Sequence, residues 1–178
     1  MKVRRVVTGH ASGKAVIVSD GAPEKNYDFV HLPGMSTALM WATAAQPAVP
    51  NDRKDVVSAT TTWLPQTGET RFIFLTFPPD SLSMQPDFDG AAVGQEYMEK
   101  VPDIAARFEP DHPGMHATDS VDYGIVLDGE VWLELDDGKQ IHLKPHDVVI
   151  QNGTRHAWRN KTDRPVKMAF ILIGANRR

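Results

Sequence analysis

The chain has 178 residues, 41% of them hydrophobic and 24% charged, with a formal net charge of −4. That length suits one domain with its own core, and the composition is that of an ordinary soluble globular protein. No Lys/Arg cluster exists to neutralise a run of phosphates, which argues against a nucleic-acid partner, and the absence of cysteine excludes disulfides, thiolate metal ligands and cysteine nucleophiles.

The N-terminus, Met-Lys-Val-Arg-Arg-Val-Val, carries positive charge but no apolar h-region follows it, and no apolar run approaches membrane-spanning length. A cytoplasmic location with no membrane partner is the expectation. Val3–Val7 and Ala15–Val18 are β-branched runs separated by Gly9–Gly13, which predicts a hairpin. The Gly-x-x-x-Gly-Lys in that loop is one residue short of a phosphate loop. It has Ala15 where a Ser or Thr should bind magnesium, and it leads into a strand pattern, so we decline that reading. Residues 20–70 hold strand candidates at Asp28–Leu32, Leu39–Thr43 and Ser58–Leu64, with Trp41 and Trp63 expected to cover the sheet. Thr70–Phe77 is a strong strand candidate ended by Pro78 and Pro79.

Residues 78–113 are acidic and the least β-like. A short helix is predicted within Gln95–Phe108, broken at Pro102, in a segment that serves as a solvated connector or, less commonly, a lid. From Met115 to Gly174 the pattern is all-β. Asp128-Gly129, Asp137-Gly138 and Asn152-Gly153 read as tight turns between strands at Gly124–Leu127, Val131–Leu135, Gln140–Leu143, Val148–Gln151, His156–Arg159 and Val166–Ile173.

Alternation along a strand puts His116, Thr118, Ser120 and Asp122 on one face, and His156, Trp158 and Asn160 on another. Two imidazoles and a carboxylate brought together would hold a divalent metal on one side and leave positions open for substrate. His116, Asp122 and His156 are therefore the expected metal ligands, and Thr118, Gln151 and Trp158 the expected substrate contacts. Catalytic acids and bases beyond the metal are not identifiable from the sequence. The competing structural reading makes the histidines satisfied core residues and has Asp122 hydrogen-bond Thr118 or His156. His112 is a candidate fourth ligand, though a loop histidine beside a proline is more often exposed. His142 and His146 read as surface residues, and His10 and His31 lack neighbouring ligand types.

The region Gly114–Ile173 resembles a cupin. The first cupin motif runs roughly G-x5-H-x-H-x3-4-E-x6-G; here His116 matches its first His, Thr118 takes the place of the second, and Asp122 stands in the Glu position, with Gly129 following. In the second motif Gly138, Pro145, His156 and Asn160 match in order, with His146 in the place of a Gly and longer spacings than the strict pattern. The resemblance implies a single cupin domain over residues 1–178, an all-β double-stranded β-helix (jelly-roll) barrel. Residues 1–77 would supply N-terminal extra strands, 78–113 a connector or lid with a short helical insertion, and 114–174 the motif-bearing core. It also implies a homodimer and one divalent metal ion, with Fe(II) preferred and Zn, Ni or Mn possible. Three His and one Glu is the usual ligand set, so this chain keeps two imidazoles and a shortened carboxylate.

The function expected on that basis is a metal-dependent cupin enzyme acting on a small-molecule substrate in the barrel, by a non-haem Fe(II) dioxygenase-type reaction. The first alternative is a Lewis-acid isomerase, dehydratase or decarboxylase using the same ion. The second is a non-catalytic barrel that binds a small ligand.

Overall fold

The computed structural model describes residues 1–50 and 55–178. The chain opens with β1 (Arg5–Ala11) and β2 (Lys14–Gly21), which pair as the expected hairpin in a two-stranded sheet of their own. The Gly-x-x-x-Gly-Lys stretch closes that hairpin: Ser12 and Gly13 take positive φ at the turn, and Lys14 begins β2. With a strand where a phosphate loop needs a helix, the sequence reading holds.

There follow β3 (Asn26–Asp28), β4 (Ser36–Thr43) and β5 (Thr70–Phe77), then α1 (Gly90–Lys100) and α2 (Pro102–Ala105). The remainder is β: β6 (Ser120–Asp128), β7 (Val131–Glu134), β8 (Gln140–Leu143), β9 (Val148–Asn152), β10 (Ala157–Arg159) and β11 (Val166–Gly174). Six strands make one antiparallel sheet in the order β3-β4-β5-β11-β6-β9, and three make a second in the order β10-β7-β8. This is the all-β double-stranded β-helix barrel, carrying extra N-terminal strands and a helical insertion. The core joins the sheets: Leu39, Ile73, Val126 and Met168 from the larger one pack in one cluster with Val131, Leu133 and Leu143 from the smaller. Arg5 fastens the N-terminal hairpin to this body, donating to the Met40 carbonyl at 3.0 Å and lying over the Trp41 ring.

Three expectations change. The candidate strand Asp28–Leu32 ends at Asp28, because the amides of Val30 and His31 donate to the Glu96 carboxylate at 2.7 and 2.8 Å instead of to a strand partner. Ser58–Leu64 is not a strand. There Thr61 Oγ1 accepts from the Ser58 amide at 3.0 Å and donates to the Val56 carbonyl, while Leu64 N donates to Asp103 at 2.7 Å. Side chains that take up backbone groups locally compete with a ladder, and here they win. Trp63 accordingly sits in the core, fully buried, its Nε1 donating to the Lys100 carbonyl at 3.0 Å.

The helical insertion starts earlier than predicted, at Gly90. Asp89 caps it, Oδ1 accepting from the Ala91 and Ala92 amides at 3.1 and 3.0 Å. The break at Pro102 is as expected, since proline fits the first turn of α2 but not the interior of a longer helix. Glu96 anchors α1 against the barrel. Burial raises its carboxyl pKa, but Lys100 at 2.5 Å and the Val30 and His31 amides outweigh burial and leave it lowered. Among the described residues no helix is long and apolar enough to cross a membrane.

Candidate functional site

His116 and His156 meet through the backbone before they meet through their rings. Each amide donates to the other's carbonyl, at 3.0 and 2.9 Å, an isolated antiparallel bridge between the segment entering β6 and the segment entering β10. The imidazole centroids are 4.4 Å apart. Each ring is also held from behind, because Nδ1 of His116 lies 3.0 Å from the Gly114 carbonyl and Nδ1 of His156 lies 2.9 Å from the Thr154 carbonyl. A carbonyl only accepts, so Nδ1 carries the proton and Nε2 keeps its lone pair in the neutral ring. Neutrality is what the surroundings favour. Burial and the neighbouring His116 push the His156 pKa down to about 4, and burial lowers that of His116.

The pair lines a cavity of about 180 Å³. Ile73, Leu75 and Phe77 of β5 project into it at alternate positions, with Phe170 and Leu172 of β11 beside them. The helical segment supplies another wall through Tyr97, Val101, Ile104 and Phe108. Rings follow one another around this space: Tyr97 to Phe108 at 5.4 Å, Phe108 to His116 at 5.3 Å, then across the histidine pair to Trp158 at 5.6 Å and Phe170 at 5.5 Å. Gly124 on β6 leaves room for that stack, for a Cβ there would stand 3.1 Å from the Phe170 ring. The segment between α1 and β6 is therefore a cavity wall, and the expectation of a solvated connector is corrected in that respect.

Asp122 also lines the cavity but is engaged elsewhere. Thr118 Oγ1 donates to its Oδ2 at 3.3 Å, and the Ser120 hydroxyl donates to Thr118 at 2.9 Å. Burial raises the Asp122 pKa, against the hydrogen bonds from Ser120 and Thr118 that favour the carboxylate. Oδ1 is buried and has no hydrogen-bond partner among the described residues. Among the described residues no three His, Cys, Asp or Glu side chains are grouped as a metal site. His116, Asp122 and His156 nevertheless all line the same cavity.

As ligands, the two imidazoles fit a divalent ion well, each with Nδ1 tethered and Nε2 unprotonated, the orientation that backbone carbonyls impose on metal-bound histidines. Asp122 shares the cavity wall with them. Of the expected substrate contacts, Thr118 and Trp158 line the cavity; Gln151 does not, and instead faces Asp122 across the β6–β9 ladder. Asn160 is 1% exposed and structural, its Nδ2 donating to the carbonyls of Phe77 and Arg164. His112 is largely exposed beside Glu109, and His142 stacks on Trp132 at 4.2 Å while bonding Glu130, so neither faces the cavity.

Residues 106–173 match the family model described as "Cupin domain". Over those residues the chain is similar to cupin domains. Its relatives include the "Phomopsin biosynthesis cluster protein C'" of Diaporthe leptostromiformis, 48% identical over 62 residues, covering 34% of this chain and 33% of that protein. The "Oryzines biosynthesis cluster protein J" of Aspergillus oryzae is 43% identical over 70 residues, covering 37% and 39%. The "Cupin-domain-containing oxidoreductase fogC" of Aspergillus ruber is 35% identical over 65 residues, covering 35% and 32%. The matched stretch spans about a third of the length of these relatives.

Tyr97 and Phe108 were not among the expected site residues. The signal was present: Tyr97, Val101, Ile104 and Phe108 recur at helical spacing, one apolar face in an otherwise acidic segment.

Proposed function

We propose that this chain is an oxidoreductase that acts on a small, largely apolar organic molecule held in the cavity between the histidine pair and the helical wall. The observation that carries this reading is the pairing of two neutral, tethered imidazoles with a ring-lined space of about 180 Å³. An apolar hole of about 150 Å³ is known to take benzene, so the space suits a single ring. The oxidoreductase part is supported by the printed name of the Aspergillus ruber relative and belongs to the proposal.

Each residue has a task that does not depend on the redox partner. Trp158, Phe170 and Phe108 offer ring faces and edges that orient a planar molecule. The aliphatic wall from β5 and α2 excludes water from most of its surface. Nε2 of His116 and of His156 are the acceptor positions at one end, able to take a proton or a hydrogen bond from the bound molecule. These same two nitrogens would hold a divalent ion. Bound iron would supply one-electron chemistry with O2, whereas bound zinc or nickel would polarise a carbonyl.

Elemental analysis of protein purified anaerobically without an affinity tag, compared with His116→Ala and His156→Ala, tests the metal half. The reading expects near-stoichiometric iron in the native protein and its loss in both variants. Zinc or nickel lost in the same way would replace the dioxygenase-type reaction with Lewis-acid chemistry. Metal retained by both variants, or none in any of the three proteins, would remove the ion from the reading.

A further inference from the structure

Two of the buried polar atoms without a hydrogen-bond partner among the described residues are Oδ1 of Asp122 and Nε2 of Gln151. Their residues are 6% and 3% exposed and stand directly opposite one another in the β6–β9 ladder. Cross-strand partners project from the same face of the sheet with Cβ atoms about 5 Å apart. An open acceptor and an open donor therefore belong to side chains on one face of the sheet. The remaining atom of each group is already engaged, Asp122 Oδ2 by the Thr118 hydroxyl and Gln151 Oε1 by the Thr154 hydroxyl. Those contacts decide which atoms stay open.

Burying unmatched polar atoms is costly, and natural interiors rarely leave a donor and an acceptor side by side without an occupant. One functional group matches both. A hydroxyl donates its proton to the carboxylate oxygen and accepts the amide N–H on its own oxygen. A carbonyl accepts only, an ammonium donates only, and a methyl does neither. Asp122 lines the cavity and Gln151 stands opposite it outside that lining, so a hydroxyl that meets both reaches them past Asp122 from whatever fills the apolar space.

We propose that Asp122 and Gln151 together recognise a hydroxyl group on a small, otherwise apolar molecule, a phenol or an alcohol of comparable size. The proposal rests on the cavity being the binding site. It also gives the aspartate at the motif's carboxylate position a role in reading substrate and not in holding an ion.

Phenol and toluene, nearly equal in size and differing in one O–H, are the probes, titrated calorimetrically against the full chain with and without chelator. Phenol is expected to bind on the order of tenfold more tightly than toluene, the ratio for one matched buried polar pair. In Asp122→Leu and in Gln151→Met that preference should fall to intermediate values, since each substitution removes one of the two hydrogen bonds. Thermal melts establish that each variant is folded, and either variant alone is sufficient for the comparison. Equal affinity in the native protein overturns the proposal while leaving the cavity reading in place. So does a preference untouched by both substitutions. A preference that vanishes with chelator puts the hydroxyl on a bound ion and overturns it too. If neither probe binds, this proposal and the cavity reading fall together.

Discussion

Each cavity histidine gives its Nδ1 proton to a backbone carbonyl two residues earlier, Gly114 for His116 and Thr154 for His156. Nitrogen-detected NMR of the metal-free protein near neutral pH should find Nε2 of both rings unprotonated. A protonated Nε2 on either would mean that the tether has the opposite polarity. Stability should respond to the same chemistry. The His156 pKa falls to about 4 on folding from an ordinary 6.5, so between these values the unfolded chain binds the extra proton. The contribution is intact above pH 6.5 and is lost as pH falls towards 4, by roughly 3 kcal/mol if His156 acts alone. Denaturant midpoints of metal-free protein across that range should drop, and the drop should flatten in His156→Gln. The identity of both histidines was legible from the two motifs. The Thr118–Asp122 hydrogen bond was legible as the competing reading of that carboxylate, since alternation puts both residues on one face.

At the scale of elements, the strands that turns and alternation define were readable in advance. β5 and β8 fall where the pattern put them, and the Asp137-Gly138 turn has positive φ at both residues, 58° and 68°, as the mirror-image hairpin turn demands. Segments that side chains reorganise were not readable. Glu96 reaches from α1 to take two amides of the candidate strand after Asp28, and that contact spans 65 residues or more of chain. The helix itself is stabilised at its start by Asp89. Asp89→Ala should cost about 1 kcal/mol in equilibrium unfolding, the usual value of an N-cap. An effect near zero would show that packing of Tyr97 and Val93 alone holds α1 in place.

For the whole molecule, the barrel brings two distant parts of the chain to one cavity. The segment after β5 wraps back so that Tyr97 and Phe108 face the histidines, and Phe108 forms a β-bridge with His116. Trp63, fully buried, ties this wrapping to the core through its bond to the Lys100 carbonyl. Trp63→Ala should destabilise the protein by about 3–5 kcal/mol, the range for a large aromatic removed from a core, as read from chemical denaturation. Because Trp63 holds the end of α1, whose Tyr97 lines the cavity, affinity for a cavity ligand should weaken along with stability.

The account turns on a small ring entering the space between the histidine pair and the helical wall. NMR of the native chain during titration with toluene tests that directly, with Trp158 and Trp132 giving separate indole N–H signals. The account predicts saturable shifts of the Trp158 indole and of the His116 and His156 ring protons, with Trp132 and His142, stacked together away from the cavity, unchanged. Shifts at Trp132 and His142 with none at Trp158, His116 or His156 would contradict it.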